Sequence, residues 1–175
     1  MKISEQTRCG WVGDDALMQE YHDIEWGVPV RDDKKLFEFL VLESAQAGLS
    51  WRTILHKRQG YKKLFAGFNP VKVAKFSKKY LAHLLKDSGI IRNRLKIESA
   101  INNAQRFLEV QKEFGSFTRY VWQFKDAKTL ATDLKKRQFK FLGETTVYAF
   151  MQAVGMVNDH EKSCFRYKEI NIFKK

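Results

Sequence analysis

The sequence predicts an all-α protein, and three observations lead to that prediction. Apolar residues recur three or four positions apart along most of the chain, which is the spacing of one helix face. Asp, Asn and Ser residues precede several of these stripes, where a side-chain oxygen can cap a helix. No segment alternates apolar and polar residues in the manner of a strand ladder, and the sequence contains no internal repeat.

The caps and stripes predict the helices in order. Asp32 or Asp33 caps the first, Asn69 followed by Pro70 opens a short one, and Asp126 caps a later one. Ser77 is predicted to cap the helix after the short one. The stripes are, in chain order, Leu36, Leu40, Glu43 and Ala47; Val73 and Phe76; Leu81, Leu84 and Leu85; Ile97, Ile101, Ala104 and Leu108; Phe117, Tyr120, Val121 and Phe124; Leu130 and Leu134; Val147, Met151 and Val154.

Composition and charge narrow the class of protein. The 175 residues are 44% hydrophobic and carry a formal net charge of +12, which is typical of a globular protein with a polyanionic partner. A generally cationic surface is the alternative explanation of the charge. No apolar run is long enough to span a bilayer, and acidic residues interrupt the N-terminal stretch where a secretory signal would lie. We therefore expect a cytoplasmic protein, and nucleic acid rather than membrane as its partner.

The cysteines and two of the histidines are concentrated at the two ends of the chain. Cys9 and His22 lie near the start, while His160 and Cys164 lie near the end, one helical turn apart. Two sulfur and two nitrogen ligands suit a tetrahedral zinc ion, which would tie the two ends together. Unrelated buried thiols are the alternative, and the spacing alone does not decide between the two.

A basic turn between two predicted helices is typical of a helix–hairpin–helix motif. This turn and the helix after it, near residues 78–98, contain Gly89, Ile90, Arg92, Arg94 and Lys96. A glycine lets the backbone approach a phosphate closely, and the N-terminus of a helix attracts an anion. The motif is therefore predicted to bind the DNA backbone without reading its sequence. The alternative is an ordinary turn between helices with solvated basic residues.

One predicted apolar stripe contains a carboxylate. Glu43 lies on the apolar face of its helix, where an acid is costly unless a partner pairs with it. Trp51 follows after a short turn, and Trp11, Tyr21 and Trp26 precede it in the chain. A buried acid among aromatic rings would attract a flat, cationic ligand. For each residue taken alone, core packing, or a carboxylate that reaches solvent, is the alternative.

Several distinctive blocks run in a fixed order from residue 8 to residue 164. They are Arg8 to Trp11, Tyr21 to Asp23, Glu25 to Pro29, Glu43, Gln46 to Trp51, Gly89 to Arg92, Leu134 to Arg137, Phe139 to Phe141, and Met156 to His160 with Cys164. In this order, and over nearly the whole chain, they resemble the bacterial 3-methyladenine DNA glycosylase I family. The first block and the block ending at Trp51 are the most specific of these matches.

The resemblance implies a fold and a set of site residues. The fold is the all-α helix–hairpin–helix DNA glycosylase fold with a structural zinc ion joining the N- and C-terminal segments. The zinc ligands implied are Cys9, His22, His160 and Cys164. The base-binding residues implied are Trp11, Tyr21, Trp26, Glu43 and Trp51. In the family the matching acid, here the catalytic candidate Glu43, hydrogen-bonds the methylated adenine, and Trp51 matches the ring that stacks on it. Gly48 and Leu49 match the loop that fills the gap left by the extruded nucleotide.

The activity implied is hydrolysis of the N-glycosidic bond of 3-methyladenine in alkylated double-stranded DNA. The segment from Asn102 to Phe107 lacks the acid that many enzymes of this superfamily carry there, and no lysine is clearly placed as a Schiff-base nucleophile. We therefore predict a monofunctional enzyme that does not cleave the strand, acting as a nucleoid-associated monomer. We expect a single glycosylase unit with two lobes, residues 1–30 with 115–175, and residues 31–114.

Two features differ from the family pattern. Met18 stands where some members carry an aromatic pocket residue, and the stretch between Phe124 and Leu134 is shorter than in the family. These differences motivate an alternative, a catalytically silent module of the same fold that binds damaged DNA. A zinc-stabilised interaction protein with no DNA role is a third possibility.

Overall fold

The structure, a computed structural model, describes residues 7–172, and no strand occurs within that range. The predicted all-α class is therefore confirmed. The helices are α1 (Ala16–Ile24), α2 (Asp33–Gln46), α3 (Trp51–Leu64), α4 (Pro70–Val73), α5 (Lys78–Leu84), α6 (Arg94–Phe114), α7 (Phe117–Val121), α8 (Ala127–Lys136), α9 (Glu144–Ala153) and α10 (Phe165–Ile172), with a 3-10 turn at Ala66–Phe68. None of these described helices is long and apolar enough to cross a membrane.

Side chains cap the helices where the sequence predicts it. Asp32 accepts the backbone N–H of Lys35 at 2.7 Å and so begins α2. Asn69 accepts the N–H of Lys72 at 3.1 Å, with Pro70 in the first turn of α4. The same role is filled at α5 and α8 by Ser77 and Asp126. These predictions are confirmed because a cap depends on residues within one turn of each other.

Helices α1, α3 and α10 are not among those that the sequence predicts. The buried face of α3 consists of Ile54, Leu55, Tyr61 and Leu64. Gly60 and several lysines and arginines lie between these residues, so the apolar spacing of a helix face is hard to recognise in the sequence. The helix forms because Ser50 caps its start and its apolar residues pack against the rest of the unit that contains it.

The chain forms two compact units, of which the first comprises Met1–Val30 and Met151–Lys175. Within its described part, the N–H of Val30 donates to the carbonyl of Val154 at 3.0 Å. Gly155 has a φ of +75°, and a Cβ there would lie 2.5 Å from the Pro29 nitrogen. Only glycine permits this close approach, so the start and the end of the chain pack backbone against backbone.

The second unit comprises Arg31–Phe150. Here α2 packs against α3, α6 and α7, and the ring of Phe107 lies between those of Phe37 and Phe117, at centroid distances of 5.2 and 4.1 Å. Asp33 at the start of α2 accepts the N–H groups at the start of α7. This unit continues to Phe150, beyond residue 114 where the predicted helical lobe ends.

Candidate functional site

The first unit brings together the four predicted metal ligands. One ligand atom from each of Cys9, His22, His160 and Cys164 lies within 4.8 Å of the others. All four side chains are buried, and none is more than 4% exposed. The Cys164 Sγ lies 3.4 Å from the His22 Nε2 and 3.6 Å from the His160 Nδ1. Residues separated by most of the chain therefore converge on one point that could hold a metal ion.

Hydrogen bonds fix which nitrogen of each histidine faces this point. The His22 Nδ1 lies 2.8 Å from the Asp23 carboxylate, which also accepts hydrogen bonds from the Arg8 guanidinium. The His160 Nε2 lies 3.1 Å from the carbonyl of Trp26. A ring nitrogen that donates to these acceptors leaves the opposite nitrogen as the one able to ligate. Both histidines are thus held in the tautomer that a metal site needs.

The charge states of the four groups also bear on what the cluster can hold. Burial lowers the pKa of both histidines, to about 4 for His160, so they stay neutral at physiological pH. Burial raises the pKa of the Cys9 thiol, because a thiolate without a nearby cation is poorly stabilised there. A bound cation would supply that stabilisation. The donor set, two sulfurs and two neutral imidazoles, fits a soft divalent metal ion with no open position.

Aromatic rings pack around this cluster. The ring of Trp26 lies 4.9 Å from that of Trp11 and 4.5 Å from that of His160. Trp11 also lies 5.5 Å from His22 and is 41% exposed. Tyr21 is buried on α1, next to His22 in the chain. Three of the predicted base-binding residues therefore lie in the first unit. Two of them, Trp11 and Trp26, pack against histidines of the candidate metal site, and Trp11 is partly exposed.

The second unit contains Glu43, in the last turns of α2. Its side chain is 4% exposed, and its Oε2 atom has no hydrogen-bond partner among the described residues. Burial raises the pKa of this carboxyl to about 8. Asp33, at the other end of the same helix, is a half-buried carboxyl that does have partners. Hydrogen bonds from Gln111 and Thr118 hold its pKa below its usual range despite burial. Glu43 is thus an acid buried without a partner.

A short exposed turn joins α2 to α3. Gly48 has a φ of +76°, which favours glycine, and Leu49 next to it is 40% exposed. Ser50 then caps α3 by accepting the N–H of Thr53 at 3.2 Å. Trp51, half-buried, is the first residue of α3. The turn therefore presents an apolar side chain to the surface, with Glu43 in the helix before it and Trp51 in the helix after it.

The turn between α5 and α6 has a different construction from the one that the sequence suggested. The N–H of Gly89 donates to the Asp87 carboxylate at 2.7 Å, and Ile90 is buried. A Cβ on Gly60 of α3 would lie 2.2 Å from the carbonyl oxygen of Gly89. These two glycines therefore permit α3 and the turn to touch backbone to backbone.

The basic residues of this motif divide into two kinds. Arg92 is exposed, and Arg94 makes only an exposed pair with Glu98 at 3.5 Å. Lys96 instead donates from Nζ to the carbonyls of Ala45 and Ala47, at 2.7 and 2.6 Å. Both arginines are exposed and can meet an anion, whereas the lysine ammonium is bound to main-chain carbonyls at the end of α2.

A second basic turn, at residues 137–143 between α8 and α9, overlaps two of the blocks that carry the family resemblance, Leu134 to Arg137 and Phe139 to Phe141. Phe141 there has a φ of +57° and is 39% exposed. A groove beside it is lined by Lys128, Lys135, Phe139 and Gly143 among others. The buried Asn103 of α6 holds the turn, since its side chain exchanges two 2.8 Å hydrogen bonds with the main chain of Lys140.

Comparison with known proteins places this geometry in a family. A model of the methyladenine glycosylase family matches residues 11–130 and 125–167. The DNA-3-methyladenine glycosylase 1 of Escherichia coli (strain K12) is 46% identical, over 91% of this chain and 96% of that protein. The DNA-3-methyladenine glycosylase of Haemophilus influenzae is 41% identical, over 90% of this chain and 96% of that protein.

Solved structures that resemble this chain belong to the same kind of enzyme as its sequence relatives. A crystal structure of 3-methyladenine DNA glycosylase I is 44% identical, with a TM-score of 0.88 over 91% of this chain and 98% of that one. The enzyme of the same name from Staphylococcus aureus, described for its recognition of 3-methyladenine, is 35% identical, with a TM-score of 0.87 over 90% of this chain and 95% of that one. Sequence, fold and the buried acid thus converge, and the chain belongs to the methyladenine glycosylase family.

Proposed function

We propose that this protein removes 3-methyladenine from alkylated double-stranded DNA by hydrolysing the N-glycosidic bond. The observation that carries the proposal is Glu43, a buried carboxyl with an unpartnered oxygen in a chain of this family. Relatives at 46% and 41% identity are named as glycosylases for this base. An acid in such surroundings requires a ligand that can donate hydrogen bonds or bring positive charge.

Methylated adenine in DNA meets that requirement. Methylation at N3 leaves the base positively charged, and its amine is a hydrogen-bond donor. We assign Glu43 to accept from the extruded base and Trp51 to stack on it. The assignment of Trp11, Tyr21 and Trp26 to the same base follows the family resemblance. An aromatic and anionic environment favours a cationic ring over a neutral one.

Hydrolysis of this bond requires the protein mainly to position the base and the sugar, because the cationic base is a good leaving group. The bond between the sugar C1′ and the base nitrogen breaks with its electrons passing to the base, which neutralises the base. Water then bonds to C1′ and loses a proton, so the products are free 3-methyladenine and an abasic site. Glu43, once ionised, stabilises positive charge close to the reacting bond. The strand stays intact, because no amine of the protein takes part.

Extrusion of the base has to be supported by contacts with the duplex. We assign Leu49, presented by Gly48, to fill the space that the base leaves. We assign the exposed arginines of the helix–hairpin–helix motif near 78–98, Arg92 and Arg94, to the DNA backbone, with Gly89 and Ile90 shaping the turn before them. The basic turn at residues 137–143 offers a further surface for phosphates. We expect the protein to work as a monomer at the nucleoid.

The metal proposed for the cluster of Cys9, His22, His160 and Cys164 is zinc. Two sulfurs and two imidazole nitrogens in a buried, four-ligand arrangement suit zinc among the common metals. The ion would supply structural cross-linking rather than chemistry, because no ligand position remains for water. In this role the cluster fixes the side chains of Trp11 and Trp26, which pack against its histidines.

The proposal is tested by the bases released from methylated DNA, separated chromatographically. The wild-type protein is expected to release 3-methyladenine, and Glu43→Gln to release it at least about a hundredfold more slowly, since removing one electrostatic stabiliser typically costs that much. DNA affinity should stay close to that of the wild type. Glu20→Gln, an exposed acid on α1, serves as the control. Salt-dependent DNA binding without any released base would instead establish the catalytically silent module.

A further inference from the structure

Lys96 is buried in part against the end of α2 instead of projecting from the basic motif. Its ammonium donates to two carbonyls, those of Ala45 and Ala47, which lie 51 and 49 residues away in the chain. The last carbonyls of a helix have no partner inside the helix and form the negative end of its dipole. A lysine cation at this place makes two charge-assisted hydrogen bonds with them.

These bonds fix the start of the turn that carries Leu49. Ala47 is the first residue after α2 and directly precedes Gly48, whose positive φ redirects the chain. The other end of the turn is fixed by Ser50, which caps α3. Without Lys96, the end of α2 and the turn after it would lose these two hydrogen bonds to α6, the helix that carries this lysine. The position of Leu49 relative to Glu43 therefore depends on a lysine nearly fifty residues away.

We propose that Lys96 is a positioning residue for base extrusion, which holds the Ala47–Ser50 turn so that Leu49 enters the duplex. The inference rests on the proposed function, because it assumes that the turn meets DNA. It differs from the phosphate contact that the sequence suggested for this lysine. Burial also lowers the pKa of Lys96, in keeping with an ammonium withdrawn from solvent.

Arg92 provides the matched comparison. It lies four positions earlier, it is exposed, and it is assigned to a phosphate. A phosphate contact contributes to the salt dependence of DNA binding, and its removal lowers the slope of log affinity against log salt by about one. A lysine occupied by main-chain carbonyls contributes nothing to that slope. The two roles are thus separable by an equilibrium measurement.

The experiment compares Lys96→Met and Arg92→Met on methylated DNA in double-stranded and single-stranded form. Filling a gap in the stack matters only in the duplex. For Lys96→Met we expect 3-methyladenine release from duplex to fall about tenfold, while release from single strands stays within about twofold and the salt slope is unchanged. For Arg92→Met we expect a smaller salt slope and similar losses on both forms of DNA.

Several outcomes would overturn the inference. One is a reduced salt slope for Lys96→Met, and another is an equal loss of release from duplex and single strands. If Lys96→Met does not fold, Lys96→Arg keeps the charge but replaces the ammonium by a planar guanidinium. Positioning then predicts reduced release from duplex at an unchanged salt slope, and full release would overturn it. A wild-type protein that releases no 3-methyladenine from either form defeats the proposed function itself, and the role of Lys96 with it.

Discussion

Replacing Glu43 with glutamine is expected to stabilise the free protein near neutral pH. The pKa of this carboxyl is about 8 in the folded protein, against an ordinary value of 4.5. Between these values the folded state holds a proton that the unfolded state has lost, so the free energy of unfolding falls as pH rises. The slope is about 1.36 kcal/mol per pH unit. From pH 5 to pH 7, Glu43 therefore removes about 2.5 kcal/mol of stability, and a glutamine removes none.

The assay is urea unfolding of the wild type and the Glu43→Gln variant, both prepared in the same zinc-containing buffer, at pH 5, 6, 7 and 8. The quantity to follow is the difference between the two free energies of unfolding, because His22, His160 and the other titrating groups contribute to both proteins alike. This difference should grow in favour of the variant by about 2.5 kcal/mol between pH 5 and pH 7. Two curves that run parallel over this range would refute the reasoning, since they would mean that the carboxyl ionises as freely when folded as when unfolded.

Two further variants test the structural contacts. Cys164→Ser should lower both the bound zinc, to less than one ion per chain, and the melting temperature, because binding energy at a buried four-ligand site contributes to folding. Metal analysis and calorimetry measure these two quantities, with Ser163→Ala as the control. An unchanged zinc content would exclude Cys164 as a ligand. Gly60→Ala should destabilise the fold by about 2 kcal/mol or more, because its Cβ would lie 2.2 Å from the Gly89 oxygen. The control Gly143→Ala has no atom within 4 Å of the new Cβ, and equal stability of the two variants would count against the close packing of α3 on the turn.

Local patterns made the helical class and the caps predictable. Asp32, Asn69, Ser77 and Asp126 act on backbone groups within three residues, so the sequence alone contains the information. The four buried Cys and His residues could be selected as a set, but their convergence depends on the whole chain between them. The family resemblance, and not their spacing, carried that prediction.

Contacts between residues that are distant in the chain leave no pattern in the sequence. A lysine in a basic cluster is indistinguishable in sequence from a solvated cation, so the bonds of Lys96 to Ala45 and Ala47 could not be anticipated. Gly89 followed the pattern of a phosphate-binding glycine, yet its carbonyl packs against Gly60 and its N–H is bonded to Asp87. The partners of Lys96 and the glycine that meets the Gly89 carbonyl are supplied by elements that are near only in space, whereas Asp87 is two residues from Gly89.

The raised pKa of Glu43 gives the proposed site a means of selecting charge. At pH 7 a carboxyl with a pKa of about 8 requires about 1.4 kcal/mol to ionise. The Coulomb attraction between the ionised carboxylate and a cationic base about 4 Å away is roughly 4 kcal/mol at an effective dielectric constant of about 20. A neutral adenine has no such attraction. The balance favours the methylated base by roughly 2–3 kcal/mol, or about a hundredfold. An acid already paired with Lys or Arg would lack this property, because its charge would be neutralised before the base arrived.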